Sequence, residues 1–531
     1  MLRKLLDIPQ TLDPETFRDP GPEYRPAIMW IWNDDIDLAT LREQVADFKA
    51  KGIGGFFIHP MPDAFRKRDF IEGIKQPYPG ETFFRWVKAA AEAAREHGLY
   101  CWLYDEGGWP SGTLVGRLAE GRPEIAGRVL RVQVLDADAA DLPGETVALL
   151  PAADGRRLRF YASREGYPTD LLNPATTDAY LQSTHEGYAE CLGEEFGGLV
   201  PGIFTDEASV GGVMGSDRVQ WTPNLAEEFR RRKGYDLLPY LPALFGEAAL
   251  PAEARPELSP EQAARVRYDF GDVWTQLHAD AFYGRMREWC REHGLLLVGH
   301  VGGEDDLMGH VSRGFGHFFR IMRHLDVPGV DAIWRQLFPG QPHLHFSKLA
   351  SSAAHLGGKP LALSETFAVY GYGLTYRQMK WVTDRQYGDG VNLMAPMAAH
   401  TCSTRGRAFC TMSNLAWGSP TWPLHKTYAD YVGRLSYLLR MGKPAARVAV
   451  LYPAGSLWVE ADPAIAESFH AITDLLQEAQ IDFDYIDEET LAGAAVECGA
   501  VRVGDGAYRA VVLPRTSVLP WSAVERLQEL H

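Results

Sequence analysis

The sequence predicts an α/β protein: a parallel (β/α)8 TIM barrel with insertions, followed by a partial flavodoxin-like α/β unit. Three observations predict it. Short runs that are apolar throughout alternate with amphipathic helical stretches, the pattern of strands buried on both faces. Each run stops at polar or charged residues, and in a closed parallel barrel all such ends face one mouth. After residue 445 the alternation of strand and helix begins again.

Residues 1–25 read as an irregular lead-in. The run AIMWIW at 27–32 is the first strand and ends at Asn33 and Asp34. Leu41, Val45 and Phe48 recur at helical spacing within 38–51, and the glycines at 52–55 close that helix. The second strand, 56–58, ends at His59, and a helix over 82–97 stops at Gly98. The third strand, 100–104, ends in Asp105, Glu106, Gly107, Gly108 and Trp109. Short β segments with turns then predict a small β insertion at about 125–165, before the helical stretch 173–196. The fourth strand lies in PGIFTDEASVG and stops at Asp206 and Glu207. A long helix over 260–293 leads to a fifth strand, 295–299, ending at His300. The sixth is placed at 330–334, ending at Trp334; the seventh, 361–363, stops just before Ser364 and Glu365; the eighth, 391–395, runs towards His400. The barrel spans 26–442, and its insertions account for a length beyond the usual ~250 residues. The partial α/β domain occupies 445–531, and the natural protein is expected to extend further.

The bulk properties exclude several classes. A net charge of -17 disfavours non-specific nucleic-acid binding. No stretch approaches the roughly 20 apolar residues of a membrane span. Six cysteines lie far apart with no C-x-x-C pair, which fits neither a disulfide framework nor a cysteine zinc site. The N-terminus shows no apolar core of a signal peptide, so a cytoplasmic location is expected. A homo-oligomer is compatible with the sequence. There is no phosphate loop, dinucleotide fingerprint or nucleophile elbow.

Three constellations could carry chemistry. Glu207 and Glu365 close the fourth and seventh strands, and a barrel would bring them to one mouth. Two carboxyls flanking one bond are what glycoside hydrolysis requires: an acid for the leaving oxygen, and a base or nucleophile. The turn YDEGGWPSG offers Asp105 and Glu106 to hydroxyls and Trp109 to a sugar face. The segment HVGGEDDLMGH, 300–310, could hold a divalent cation, calcium rather than zinc, or be a solvated loop with His300 facing substrate. Asn33, Asp34, His59, Asp206, Trp334 and His400 are further mouth candidates. The pair His343 and His345 forms an H-x-H, which metal-dependent barrel hydrolases place on their first strand and this chain places after its sixth.

The runs MWIWNDDIDLATLREQVADFKAKGIGGFFIHP, GLYCWLYDEGGWPSG, GIFTDEASV and LALSET resemble glycoside hydrolase family 106, the α-L-rhamnosidases, over most of 26–442. The resemblance implies an inverting exo-glycosidase with a carbohydrate substrate and a calcium ion near it. It also implies Glu207 as general acid, Glu365 as the base that activates water, and Asp105, Glu106 and Trp109 on the sugar-binding floor. The segment after 445 looks like the amidotransferase-like domain that follows the barrel in several β-galactosidases. Other sugars (galactoside, fucoside, arabinoside) stay open. So do a metal-dependent hydrolase or lyase built on His300, Glu304, Asp306 and His310, and a sugar-binding barrel without turnover.

Overall fold

Eight parallel strands close on themselves in chain order in the computed structural model, which describes every residue except 66–72, 139–143, 213, 313 and 404–412 and the side chain of 312. They are β1 (Ala27–Trp32), β2 (Gly55–Pro60), β3 (Tyr100–Tyr104), β4 (Gly202–Asp206), β5 (Leu296–His300), β6 (Val327–Ala332), β7 (Leu363–Thr366) and β8 (Leu393–His400). All eight are buried along their whole length. This explains why each reads as a continuous apolar run rather than an alternation.

Alternation nevertheless decides which way each side chain points. Met29, Phe57, Trp102, Phe204, Val298 and Leu363 fill the barrel interior as one cluster. Their neighbours Ile28, Trp30, Phe56, Cys101, Leu103, Ile203 and Leu297 pack outward against the helices. The helix Glu81–His97 shows the outer layer's logic: Phe83, Trp86, Val87 and a run of alanines face the barrel, and Gly98 ends it in a left-handed cap at φ 64°.

Several features differ from the sequence expectation. β6 begins three residues earlier than placed, at Val327, so Trp334 lies in the following loop. Pro328 and Gly329 disguise it, both poor strand formers on propensity. β7 runs through Glu365 instead of stopping before it. The β insertion is a four-stranded antiparallel sheet that recruits Val219–Gln220 from beyond β4. The lead-in is not idle either. Leu5 is buried among the interior residues, and the Tyr100 hydroxyl and Arg440 guanidinium hold the backbone carbonyls of Met1 and Leu5, so the segment plugs the barrel floor.

The last part of the chain forms a three-stranded parallel sheet in the order 483–487, 448–452, 510–512, with the central strand first in sequence. That is the opening order of a flavodoxin-like sheet. The single strand expected at 508–513 is split, because Gly506–Tyr508 joins a separate antiparallel three-stranded sheet. The unit rests on the barrel through Arg323 with Asp487 and Glu489, Lys348 with Asp482, and Trp458 donating to the Gly316 carbonyl. The five described cysteines are free, and Cys410 lies outside the described residues. Among the described residues no helix is long and apolar enough to cross a membrane.

Candidate active site

The inward-facing alternation that fills the barrel ends, at its carboxyl rim, in side chains of a different kind. Two residues beyond Phe57, Trp102, Phe204 and Val298 stand His59, Tyr104, Asp206 and His300. Two residues beyond Leu363 stands Glu365, which lies level with Asp331 of β6 in the parallel register. All six are buried.

His300 is the hub of the acidic side. Its Nδ1 donates to its neighbour Val301's carbonyl at 2.5 Å. Its Nε2 faces Glu365 Oε2 at 3.3 Å and Asp206 Oδ1 at 3.6 Å. Burial alone would lower the pKa of this imidazole, but Asp206, Asp331 and Glu365 outweigh it and hold His300 well above the usual histidine range. It is therefore an imidazolium at neutral pH. Asp206 is fixed from its other oxygen by the Tyr104 hydroxyl at 2.5 Å, and its backbone N–H is held by the Ser111 hydroxyl. Gly299 makes this close approach of β4 and β5 feasible. Its φ is 148°, and a Cβ there would lie 2.0 Å from the Thr205 carbonyl oxygen.

Two further acids face this hub. Burial raises the carboxyl of Asp331 far above the aspartate range, although His300 pulls it down, and its Oδ1 is buried without a hydrogen-bond partner among the described residues. Glu304, 4.0 Å from His300 Nδ1, is pushed up to about 8 by burial. Neither was among the mouth candidates. Asp331 was hidden because β6 was misplaced, and Glu304 had been read only as a metal ligand. Glu207 follows β4 in a left-handed conformation, φ 47°, that non-glycine residues seldom adopt. The kink turns it out of the strand's alternation towards Gly302, whose Cβ position is 3.3 Å from Glu207 Oε1. It is half-buried, whereas Glu365 is buried.

The other side of the mouth is neutral and aromatic. His59 stacks on Tyr104 with centroids 4.0 Å apart and meets Trp109 edge-on at 6.0 Å. Burial, then His400, pushes His59 down to about 3, and burial brings His400 down to about 4. Both rings are neutral, and neither nitrogen of His59 has a partner among the described residues. Trp334 stands exposed on the rim, 57% accessible, its backbone N–H tied to the Ala368 carbonyl.

Several expected sugar contacts serve other ends. Glu106 accepts the backbone N–H groups of Gly107, Thr113, Leu114 and Val115 at 2.8–2.9 Å, so its carboxylate is the staple of its own turn. Asp105 points outward, away from the interior residue Tyr104, and accepts from the Ser111 hydroxyl at 2.6 Å. The alternation Tyr100, Trp102, Tyr104 was the signal that could have placed it. Asn33 ties the end of β1 to Thr401 and Cys402. Asp34 accepts from the Asp35 backbone. Replacing Glu106 by Gln puts an amide N–H against those donors. It is expected to cost about 1–3 kcal/mol, read as a lower Tm with kcat unchanged.

Among the described residues His300, Glu304, Asp306 and His310 do not converge, since His300 and His310 each turn Nδ1 onto a backbone carbonyl. The converging set at the mouth is Asp206, His300 and Glu365, within 4.8 Å of one another. Calcium takes about 6–8 oxygen ligands, and two carboxylates with one imidazole fall short of that donor set.

A family model described as alpha-L-rhamnosidase matches residues 161–531. The chain is 24% identical over 380 residues to a protein of Formosa agariphila named "Putative beta-glucuronidase", covering 69% of this chain and 29% of that one. It thus spans under a third of that relative's length. Among solved structures it is similar to the rhamnosidase from Novosphingobium sp. PP1Y, with a TM-score of 0.70 and 16% identity, over 97% of this chain and 68% of that one. It is also similar to Gan42B, a GH42 beta-galactosidase from G. stearothermophilus, at a TM-score of 0.58 and 14% identity, covering 97% and 71%. At those identities the likeness is one of fold. The family match covers most of the chain, and the chain belongs to glycoside hydrolase family 106, the alpha-L-rhamnosidase family.

Proposed function

We propose that this chain is an exo-acting glycosidase that cleaves a terminal α-L-rhamnosyl group, with Glu207 as general acid and Glu365 as general base. The observation that carries this reading is the hub at His300. An imidazolium holds Glu365 and Asp206 in place at the mouth, beside the strand end from which the kinked Glu207 projects. Two carboxyls presented in different ways, one clamped and one free of the strand's alternation, suit two different roles.

In this mechanism Glu207 gives its proton to the glycosidic oxygen as that bond lengthens. Glu365 takes a proton from the water that attacks the anomeric carbon. His300 donates to Glu365 and fixes its orientation, and Tyr104 and Asp206 steady His300. The products leave with Glu207 deprotonated and Glu365 protonated, and exchange with solvent restores both. Asp331, protonated when buried, donates a hydrogen bond to a sugar hydroxyl. His59 and Trp109 supply the apolar floor for the methyl-bearing face of a deoxy sugar. No step is routed through calcium.

The charge of the mouth bears on the sugar. Asp206 and Glu365 flank one imidazolium, so the carboxylate of a uronic acid would meet net negative charge. A neutral sugar is favoured over a glucuronide. A panel of aryl glycosides (rhamnoside, galactoside, fucoside, arabinoside and glucuronide), each with and without EDTA, tests this. The expected result is turnover of the α-L-rhamnoside above all others. A glucuronide cleaved while the rhamnoside stays inert would overturn the assignment.

A further inference from the structure

A second group of imidazoles lies outside the mouth, where the loop after β6 meets the helix Pro463–Glu478 of the C-terminal unit. His343 and His345 come from the loop and His470 from the helix. One ring nitrogen of each lies within 4.8 Å of the other two. His345 Nε2 and His470 Nδ1 are 3.0 Å apart. Two nitrogens bound at about 2.0–2.1 Å to one tetrahedral zinc would be roughly 3.3 Å apart, so this pair already stands close to a ligand edge.

The nitrogens on the far side of two rings have partners of the kind that orient metal-bound histidines. The Tyr485 hydroxyl is 2.6 Å from His345 Nδ1, and Asp474 Oδ2 is 3.0 Å from His343 Nδ1. The rings of His343 and His470 stack with centroids 4.2 Å apart. His343 is held there by a left-handed backbone, φ 57°. His345 and His470 are buried, while the His343 side chain is 39% exposed and leaves a path from solvent. Burial, then the neighbouring imidazoles, keeps His345 well below the usual range. Burial, then His343, brings His470 down to about 4. A bare hydrogen bond between His345 and His470 would account for their 3.0 Å separation, but not for a third ring oriented by its own carboxylate.

We propose that His343 Nε2, His345 Nε2 and His470 Nδ1 bind one first-row transition-metal ion, zinc foremost, with water completing a tetrahedron. The ion would clamp the barrel's β6 loop to the C-terminal unit. This site is distinct from the mouth and does not depend on the glycosidase reading.

The test uses the full chain, stripped with a chelator and titrated with zinc by calorimetry. One zinc per chain is expected, with a Tm that rises in zinc. His343→Ala and His470→Gln should each weaken zinc binding by about 100-fold or more, while Glu365→Gln leaves it unchanged, which separates this site from the mouth. The unmutated chain loaded with cobalt(II) gives a readout that needs no variant, the intense visible bands of tetrahedral coordination. Substoichiometric zinc binding, cobalt spectra without those bands, or full affinity in both histidine variants would overturn the proposal.

Discussion

Glu365→Gln is expected to lower kcat by about 10²–10⁴-fold on every aryl glycoside, whatever the leaving group. The argument rests on what a base must do. Water is a poor nucleophile towards an anomeric carbon, and the amide that replaces the carboxylate cannot take its proton. The quality of the departing phenol does not repair that loss. Glu207→Gln should behave differently. The variant cannot protonate the glycosidic oxygen, so substrates with basic leaving groups lose as much as the Glu365 variant does. Dinitrophenyl glycosides, whose phenolate departs unassisted, should lose far less. The contrast in leaving-group dependence assigns the roles. Equal dependence in the two variants would refute the assignment of acid and base.

His300→Gln is expected to move the acid limb of the rate profile to higher pH by about one unit or more, because it removes the cation between Asp206, Asp331 and Glu365. The loss of stability should also depend on pH with a definite sign. The folded-state value of His300 lies above its ordinary 6.5, so its protonation stabilises the fold fully below that value. The contribution fades as pH rises through the higher folded-state value. The wild type should therefore exceed the variant in stability most at and below pH 6.5, and the gap should close in alkali. Leaving buried carboxylates without their cation costs about 3–5 kcal/mol where they stay ionised. Chemical denaturation across a pH series measures this. A stability difference that grows towards alkaline pH would show that His300 is not the charged hub.

The barrel was legible because eight runs buried on both faces cannot hide their hydrophobicity, and glycines such as Gly98 punctuate the helices between them. Glu207 and Glu365 were legible because two carboxylates stood at strand ends in an otherwise apolar context. Asp331 was missed for the complementary reason. The strand VPGVDA contains a proline and a glycine, and its acid sits inside the strand rather than past it. Asp105 and Glu106 were over-read because a polar turn beside a tryptophan looks like a binding loop. The structure spends Glu106 on four backbone N–H groups of that same turn, and polarity in sequence does not show whether a carboxylate faces a ligand or its own backbone. The role of His300 required four strands in register, which no local pattern reveals.

The anomeric configuration of the sugar first released, followed by proton NMR as an aryl α-L-rhamnoside is hydrolysed, tests the central claim most directly. An acid and a base that leave room for water between them, roughly 6.5–9.5 Å apart, release the β anomer first, and mutarotation then forms the α anomer. That is the expected result. If the α anomer appears first, Glu365 attacks the sugar instead of activating water, and the account of the mouth given above is wrong.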